Sequence, residues 1–357
     1  MSTDEAVAVR ASDAFDVERV HAWLADRLPA ARHATGPPEV RQFAGGASNL
    51  TYLLRYPEAE VILRRPPVGH RAASAHDMQR EFRVQSQLAD AFPYVPEMIG
   101  FCDDPDVIGD DFYVMQKLDG IILRSRPPRD LDLSPARTRE LCTSVVDRLG
   151  DLHAVDPEAA GLGDLGRGTG YVERQVAGWS ERYRAARTPG APRFERVMAW
   201  LERHRPPDVA TVVVHNDYRF DNVVLDPVDL SVVGILDWEM ATLGDPLMDL
   251  GASLAYWVEA TDDRLMQAFR RQPTHLPGML TRREVVDRYL ARTGLALDDW
   301  RFYEVYGLFR LAVIIQQIRT REVGKPRAER NPAFRMFPVG VRYLSWRCRR
   351  IIRKGAA

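Results

Sequence analysis

Three oxygen-bearing side chains near the middle of the chain have types and spacing suited to phosphoryl transfer. Asp217 and Asn222 lie five residues apart, and Asp237 follows fifteen residues after Asn222. Phosphoryl transfer needs little covalent chemistry from a protein, which mainly binds magnesium, orients the acceptor hydroxyl and neutralises charge on the phosphoryl oxygens. Two oxygen ligands and one further carboxylate meet those needs. We therefore predict that Asp217 is catalytic and that Asn222 and Asp237 bind metal.

Apolar runs on both sides of these side chains predict short buried strands. The runs cover residues 212–214, 223–225 and 232–236. Side chains at the ends of strands are held rigidly enough to form a site. An Asp and an Asn on one turn are by themselves usually local backbone caps. The addition of a second, strand-borne aspartate favours a functional site over that alternative.

These segments resemble motifs of the aminoglycoside phosphotransferase and choline kinase branch of the protein-kinase-like superfamily. The matching residues are His215-x-Asp217-x4-Asn222 and Asp237-Trp-Glu239. The resemblance implies an α+β, bilobal protein-kinase-like fold with an N-terminal antiparallel sheet lobe and a mainly helical C-terminal lobe. It places the lobes at residues 1–116 and 117–357, with ATP in the cleft between them. The implied cofactors are ATP and Mg²⁺.

A glycine-containing turn upstream resembles the turn with which this family covers the nucleotide. The turn lies within residues 43–52, between two predicted strands. A Gly-Gly pair in such a place is by itself often an ordinary hairpin loop. Here its position ahead of the other motifs implies that its backbone amides approach the phosphates. The residues assigned to nucleotide binding in this turn are Gly45, Gly46, Ala47, Ser48 and Asn49.

The strand predicted over residues 61–65 carries arginine where kinases of this superfamily carry a phosphate-binding lysine. Strand alternation places Arg64 and Arg65 on opposite faces, and we expect Arg64 to point into the cleft and Arg65 to face solvent. Glu81, on a helix predicted over residues 72–91, matches the family's acidic partner for the strand cation. We therefore expect an Arg64–Glu81 pair. The alternative is that Glu81 belongs to a solvated helix face.

An apolar strand ending at Gly120 matches the segment that joins the two lobes. Backbone groups near Gln116 and Leu118 are expected to hold adenine, through amide and carbonyl groups that every residue has.

The second half of the sequence has mainly helical periodicity. His153, at the end of the first predicted helix, is interpreted as a packing or capping residue rather than a catalyst. After Asp237 the chain runs directly into Gly244-Asp-Pro and Asp249, without the long activation segment of protein kinases, which favours a small-molecule acceptor. This motif also matches the family, although a turn followed by a helix cap explains it equally well. The predicted helices cover residues 135–155, two segments within 171–204, and residues 247–257, 282–293 and 299–321.

The segment from Phe309 to Gln317 is most similar to the kinase-like domains associated with acyl-CoA dehydrogenases. That resemblance implies a hydroxyacyl-CoA-like acceptor. An aminoglycoside or amino-alcohol acceptor stays open, and so does a non-catalytic nucleotide-binding scaffold, which the arginine at position 64 keeps as an alternative. Basic residues within 319–330 and 342–354 are compatible with a large anionic acceptor or with solvated helix faces.

Composition sets limits on the class of protein. The 357 residues are 45% hydrophobic and 28% charged, which is typical of a globular enzyme with two cores. A net charge of −1 argues against a general nucleic-acid binder. Three widely spaced cysteines and a polar N-terminus predict a cytoplasmic protein without a membrane partner. The family resemblance implies a small-molecule acceptor, and the sequence indicates no nucleic-acid or obligate protein partner. Residues 15–28 predict a helix that packs on the sheet lobe.

Overall fold

The computed structural model describes residues 6–43, 49–67, 77–128 and 130–354. Its contacts divide the chain into two compact units. The first comprises Met1–Ile122 and Asn222–Ala241, and the second comprises Leu123–Asp221 and Thr242–Ala357. The sequence placed the boundary after residue 116 and assigned residues 222–241 to the helical part. In the structure the segment with Asn222 and Asp237 groups instead with the sheet.

Within the described residues, the first unit is built around a six-stranded antiparallel sheet. Its strand order is β1-β2-β3-β4-β6-β5. The strands are β1 (Val7–Ala8), β2 (Glu39–Gln42), β3 (Leu50–Arg55), β4 (Glu60–Arg65), β5 (Met98–Cys102) and β6 (Phe112–Gln116). In the centre of this sheet Arg64 of β4 lies between Thr51 of β3 and Tyr113 of β6.

Both faces of the sheet are covered, which explains why β4 and β6 are nearly continuous apolar runs. The helices of this unit are α1 (Val17–Leu24), α2 (Pro29–His33), α3 (Met78–Leu88) and α4 (Pro105–Ile108). Val20 of α1 packs with Leu63 on one face, and Met78 of α3 packs with Ile62 on the other. The predicted N-terminal helix on the sheet is therefore confirmed. The Asp77 side chain caps α3 by accepting the backbone N–H of Arg80 at 2.9 Å.

Arg65 is buried, and the prediction that it faces solvent was wrong. It lies on the opposite face from Arg64, as alternation requires, but only 3% of it is exposed. Its guanidinium lies 5.7 Å from the ring centroid of Phe15 and 5.9 Å from that of Tyr52. It also donates to the carbonyl of Asp13 at 3.4 Å. The N-terminal segment covers this face, so alternation alone could not identify a solvent side.

Four further short strands form two antiparallel pairs. One of these pairs belongs to the first unit although it lies later in the sequence. They are β7 (Val212–Val214) with β10 (Thr242–Gly244), and β8 (Val223–Leu225) with β9 (Val232–Ile235). The β8–β9 hairpin is attached to the first unit, because Leu225 pairs with Ile121 and the Ile235 N–H donates to the Tyr94 carbonyl at 2.7 Å. Gly234 of the hairpin packs directly against Leu118.

The second unit is mainly helical, and each predicted helix overlaps an observed one. Polar caps mark several helix starts, such as Ser134 before α5 and a capping box of Thr281 and Glu284 on α10. The helices are α5 (Pro135–His153), α6 (Tyr171–Ala186), α7 (Glu195–Arg203), α8 (Pro246–Leu254), α9 (Arg264–Ala268), α10 (Arg282–Thr293), α11 (Arg301–Gly324) and α12 (Phe337–Lys354). Short 3-10 helices cover Ala11–Asp13, Phe220–Asn222, Trp238–Met240, Arg327–Glu329 and Pro332–Phe334.

Two glycines allow α8 and α11 to cross closely. A side-chain carbon added to Gly307 would overlap the carbonyl group of Gly251. A larger residue at position 307 would therefore push the two helices apart. This crossing brings Asp249 of α8 and Arg310 of α11 to the same loop, described below.

The three cysteines, Cys102, Cys142 and Cys348, are buried and unpaired. Burial raises the pKa of Cys142 to about 12, so its thiol behaves as a packing group rather than a nucleophile. Among the described residues, no helix is long and apolar enough to cross a lipid bilayer.

Candidate active site

Asp217 lies on the loop that follows β7 in the second unit. The chain leaves β7 at Val214 and turns at Asn216, which has a φ of 63°. A positive φ is uncommon outside glycine and persists where surrounding contacts impose it. His215 is fully buried, and its Nδ1 accepts the backbone N–H of Asp217 at 3.2 Å. The backbone on the N-terminal side of Asp217 is therefore fixed.

Asp249, in the first turn of α8, holds this loop in place. Its carboxylate accepts the N–H of His215 at 2.7 Å and the N–H of Asn216 at 2.8 Å. It also contacts Nε2 of His153 at 3.1 Å, while Nδ1 of His153 contacts the Tyr289 hydroxyl at 2.5 Å. Burial alone would raise the pKa of Asp249, but the bond from His153 and the neighbouring positive charge hold it below its ordinary value. The sequence matched Asp249 to a family motif but did not show this role.

Asp245, rather than Asp249, is the cap of α8. Its side chain accepts the N–H of Met248 at 3.0 Å and that of Val209 at 2.7 Å. The Gly-Asp-Pro part of the motif is thus a helix cap, as one interpretation of the sequence had it. His153 is buried and hydrogen-bonded, as expected of the packing residue that the sequence indicated.

Two side chains hold Asn216 in its left-handed conformation. The hydroxyl of Tyr171 donates to Oδ1 of Asn216 at 3.0 Å, and the guanidinium of Arg310 donates to its carbonyl at 2.7 Å. Arg310 is 4% exposed and lies 5.1 Å from the ring centroid of Trp179. No sequence signal marks Arg310 beyond its place in an apolar helix, because its partner is a backbone carbonyl.

Arg219 binds the Asp217 carboxylate with two nitrogens. Its Nε lies 2.9 Å from Oδ1 of Asp217, and its Nη2 donates to Oδ2 at 2.9 Å. The same guanidinium lies 3.5 Å from Asp221 and 4.7 Å from the ring centroid of Tyr256. The hydrogen bond from Nη2 and the short ion-pair distance from Nε together orient the carboxylate. Arg219 was not among the predicted site residues.

The two predicted metal ligands lie in the first unit, next to the ends of two paired strands. The Asn222 carbonyl, just before β8, accepts the N–H of Leu236 at 2.8 Å. Asp237 therefore follows β9 close to the start of β8, and it has a φ of 69°. An amide and a carboxylate are hard oxygen ligands, and Mg²⁺ binds through one or two protein oxygens plus water and phosphate oxygens. The ligand chemistry thus fits Mg²⁺, although no cluster of three His, Cys, Asp or Glu that could hold a metal occurs in the described ranges.

Arg64 forms the predicted pair with Glu81 inside the first unit. The two side chains approach to 2.8 Å, with 11% and 2% of their surfaces exposed. Arg64 also lies 3.3 Å from Asp237. Burial raises the pKa of Glu81 above its ordinary value, against the effect of Arg64. Burial tends to lower the pKa of Arg64, but the surrounding acidic groups, with Glu81 first and Asp237 and Glu239 among the others, together outweigh it, so the pKa lies above its ordinary value and the guanidinium stays charged.

Asn49 joins this buried group, whereas the rest of the predicted glycine turn, Gly45, Gly46, Ala47 and Ser48, lies outside the described residues. The amide nitrogen of Asn49 donates to Glu81 at 3.3 Å and to Glu239 at 3.4 Å. Asn49 is therefore part of the network around Arg64.

Gln116 and Leu118 occupy the end of β6 and the segment after it. The Gln116 N–H already donates to the Glu97 carbonyl at 2.8 Å, and its side chain accepts the Glu97 N–H at 3.3 Å. Adenine recognition at Gln116 would therefore have to use its carbonyl. The Leu118 side chain packs against Gly234 of the β8–β9 hairpin.

A family model described as the phosphotransferase enzyme family, or APH, matches residues 39–285. This chain belongs to that family. Acyl-CoA dehydrogenase family member 10 of Mus musculus is 37% identical to this phosphotransferase-family chain over 293 residues, which cover 82% of the chain and 27% of the relative. Acyl-CoA dehydrogenase family member 11 of Homo sapiens is 34% identical over 318 residues, which cover 86% and 39%. The chain thus spans less than half the length of these curated relatives.

Solved structures confirm the protein-kinase-like fold of this phosphotransferase-family chain. One neighbour is a protein of Ralstonia eutropha JMP134 provisionally named an aminoglycoside phosphotransferase. It has a TM-score of 0.79 and 29% identity over 96% of this chain and 99% of its own. Choline kinase of Cryptosporidium parvum Iowa II has a TM-score of 0.64 and 12% identity over 95% and 97%, and this likeness concerns the fold alone. The predicted α+β class and the resemblance to both groups of kinases are confirmed.

Proposed function

We propose that this protein is an ATP- and Mg²⁺-dependent phosphotransferase that acts on a hydroxyl group of a small molecule. The observation that carries the proposal is the fixed loop around Asp217. Asp249 binds two backbone amides of this loop, and Arg219 orients the Asp217 carboxylate. A scaffold that only held a nucleotide would have no use for a carboxylate positioned in this way. Family membership supports the same reaction class.

Asp217 is the proposed catalytic residue. The acceptor oxygen forms a bond to the γ-phosphorus as the bond from that phosphorus to the bridging oxygen of ADP breaks, and the hydroxyl proton passes to Asp217. In a loose transition state this proton moves late, so the carboxylate mainly aligns the hydroxyl. Arg219 holds the carboxylate in one orientation, which lowers the entropy cost of that alignment.

The first unit supplies the proposed nucleotide-binding residues. Asn222 and Asp237 would hold Mg²⁺, which when bound neutralises charge on the phosphate oxygens. Arg64 would contact the phosphates while Glu81 keeps its side chain in place. The backbone of residues 45–49 would cover the phosphates, and backbone groups of residues 116–118 would hold adenine.

Arginine at position 64 is compatible with this role. It forms the same kind of pair with a helix glutamate that the family's lysine forms, and it stays charged. A guanidinium contacts phosphate through a planar fork, whereas an ammonium acts as a point charge. The pairing of Arg64 with Glu81 therefore favours a working kinase over the scaffold alternative.

A hydroxyacyl-CoA-like compound is the acceptor that we propose first. Its support is the similarity to two relatives named as acyl-CoA dehydrogenase family members. An aminoglycoside or amino-alcohol is the second candidate, because solved neighbours are named for those acceptors.

The function is tested by incubating the purified protein with ATP, Mg²⁺ and single acceptors. Suitable acceptors are 3-hydroxybutyryl-CoA, kanamycin and choline, with ADP release and the mass of the product as readouts. We expect one acceptor to gain a phosphoryl group, and the same reaction with Asp217→Asn to fall to background. ATP binding without transfer to any alcohol in a broad acceptor panel would favour the scaffold instead.

A further inference from the structure

The last helix, α12, has an exposed face that carries both apolar and basic side chains. Val339, Trp346 and Arg353 follow one another at intervals of seven residues, which places them on the same side of a helix. Trp346 is 40% exposed and Val339 is 38% exposed. We call this surface the α12 outer face, and its members are Val339, Arg342, Trp346, Arg349, Arg350 and Arg353.

The opposite side of α12 already attaches the helix to the second unit. Leu344 and Cys348 are buried, and the Cys348 thiol lies 3.8 Å from the carbonyl of Val305 on α11. At the edge of this side Arg347 pairs with Asp262 at 3.1 Å. The helix is therefore held without the α12 outer face, and its packing does not explain the exposed indole and guanidinium groups.

Exposed arginines elsewhere in this unit are paired with acids. On α10, Arg283 lies 3.0 Å from Asp287, and Arg288 and Arg292 lie 2.7 Å and 2.6 Å from aspartates of α5. Each of these surface pairs contributes little stability, but it balances a positive charge with a negative one.

The arginines of the α12 outer face have no acidic partner within the described ranges. Arg342 and Arg349 donate to the carbonyls of Gly190 and Ser345, both at 3.2 Å, and the Arg350 guanidinium lies 5.3 Å from the ring centroid of Trp346. The sequence of α12 contains no Asp or Glu. The α12 outer face therefore keeps its full positive charge.

The α12 outer face belongs to a strongly basic part of a nearly neutral chain. Residues 319–354 contain twelve Arg or Lys and two Glu, an excess of ten positive charges, whereas the whole chain has a net charge of −1. Such a concentration of one charge attracts polyanions to one side of a protein. The sequence left these basic runs between an anionic acceptor and solvated helix faces, and the exposed Trp346 favours a third interpretation.

We propose that the α12 outer face binds the surface of a membrane that contains anionic lipids. The arginines would contact the phosphates and carboxylates of the headgroups, and the Trp346 indole would lie at the boundary between headgroups and acyl chains. A helix that lies in the plane of this surface needs no apolar run of bilayer length. The contact departs from the expectation of no membrane partner, which rested on the lack of such a run. It is independent of the proposed reaction.

The composition of the α12 outer face favours a lipid surface over other polyanions and over a second copy of the chain. Two copies joined through this face would bring the same positive surfaces together and repel each other. A nucleic-acid backbone would engage the arginines but offers no apolar contact for Val339. Charged protein interfaces set their register with both signs of charge, and this face has only one.

The test measures co-sedimentation of the full chain with lipid vesicles over a range of lipid concentrations. One set of vesicles is phosphatidylcholine alone, and the other contains equal parts of phosphatidylcholine and phosphatidylserine. A triple variant removes three charges from the α12 outer face, and a matched triple variant removes three charges from α10. The changes are Arg349→Gln, Arg350→Gln and Arg353→Gln on α12, and Arg283→Gln, Arg288→Gln and Arg292→Gln on α10.

We expect the wild type to bind the mixed vesicles and not phosphatidylcholine alone, and to be released by high salt. Each cation near an anionic surface contributes about fivefold to the partition coefficient, so the α12 triple variant should lose about a hundredfold. The α10 triple variant has the same net charge and should bind like the wild type. Trp346→Gln keeps every charge and should bind several-fold more weakly, because it removes the interfacial side chain. Thermal unfolding should give similar Tm values for all four proteins, since the changed side chains are exposed.

Several outcomes would overturn the membrane contact. They are absence of binding to both kinds of vesicle, equal binding to both, an unchanged partition coefficient in the α12 triple variant, and an equal loss in the α10 triple variant. Tighter binding of the wild type to a single-stranded RNA oligonucleotide than to the mixed vesicles would assign the face to nucleic acid instead. A dimer in sedimentation velocity that the α12 triple variant loses would assign it to a second copy.

Discussion

Asp217 gains its proposed role from its neighbours. Its carboxylate is oriented by Arg219, and its backbone N–H is held by His215. A carboxylate fixed in this way is suited to align a hydroxyl in the transition state, and we propose that it acts on the acceptor rather than on the nucleotide. Nucleotide affinity and turnover should therefore respond differently when Asp217 is changed.

Asp217→Asn should leave ATP affinity within a factor of a few and lower kcat by roughly 10²–10⁴, the usual contribution of a positioned general base. Calorimetry gives the affinity, and ADP release with whichever acceptor of the panel is phosphorylated gives kcat. Asp287→Asn, an exposed change on α10, serves as the control and should keep full activity. A kcat near the wild-type value for Asp217→Asn would remove Asp217 from the catalytic role.

The Arg64–Glu81 pair is a buried charge pair, and such pairs are costly to break by removing one partner. Arg64→Met should destabilise the protein by about 3–5 kcal/mol at neutral pH, because Glu81 is left buried without its cation. Arg64→Lys keeps the charge, so its free energy of unfolding should fall much less. Denaturant unfolding of the three proteins at one protein concentration provides the comparison.

The cost of Arg64→Met should also depend on pH. Burial already raises the pKa of Glu81 in the folded protein, and loss of Arg64 raises it further. A carboxyl whose folded pKa lies above its unfolded pKa contributes stability at low pH, and this contribution is lost as pH rises through the folded value. We therefore expect the difference in unfolding free energy from wild type to be larger at pH 8 than at pH 5. A difference that is equal at both values would mean that Glu81 does not carry the penalty.

At the scale of elements, α8 is the frame of the catalytic loop. Its close crossing with α11 at Gly251 and Gly307 sets the position of Asp249, and Asp249 binds the two amides that precede Asp217. A helix held in this way can position a loop more accurately than the loop could position itself.

Asp249→Asn should lower both stability and kcat. The amide cannot accept from both loop N–H groups and from His153, so at least one buried donor loses its partner, at a cost of about 1–3 kcal/mol. The loop around Asp217 would then relax, and kcat should fall while the KM for ATP stays near its wild-type value. Steady-state kinetics and thermal unfolding measure the two effects. Unchanged kcat in a destabilised variant would show that Asp249 supports only the fold.

Most elements of this protein could be predicted from the sequence, because periodicity and caps are local signals. Helices α5 to α8, α10 and α11 and the strands around Asp217 follow from such patterns, whereas Glu81 was matched to Arg64 through the family resemblance. The burial of Arg65 could not be predicted, since it depends on the N-terminal segment that covers that face of the sheet. Arg310 was missed for a related reason, because its partner is a backbone carbonyl brought close only by the tertiary fold.

At the scale of the whole molecule, the residues of the proposed reaction are divided between the two units. Asp217 belongs to the second unit, whereas Asn222, Asp237 and Arg64 belong to the first. The net charge of −1 argues against a general nucleic-acid binder, but it does not indicate the charge of an acceptor.

The proposed nucleotide-binding residues and Asp217 belong to different units. Thermal unfolding with ATP and Mg²⁺ should therefore report on nucleotide binding independently of acceptor chemistry. A ligand that binds only the folded protein stabilises it by about 2.7 kcal/mol at a hundredfold excess over its Kd, so ATP with Mg²⁺ should raise the Tm of the wild type. Asp217→Asn should show the same rise. Asp237→Ala should lose the part of the rise that depends on Mg²⁺, because it removes one of the two proposed metal ligands and an ion-pair partner of Arg64.

Scanning each protein with ATP plus Mg²⁺ and with ATP plus a chelator gives the Mg²⁺-dependent part of the rise in Tm directly. An equal Mg²⁺-dependent rise in Asp237→Ala would place the metal on other residues, and the assignment of Asn222 would then fail with it, since both ligands belong to the same hairpin.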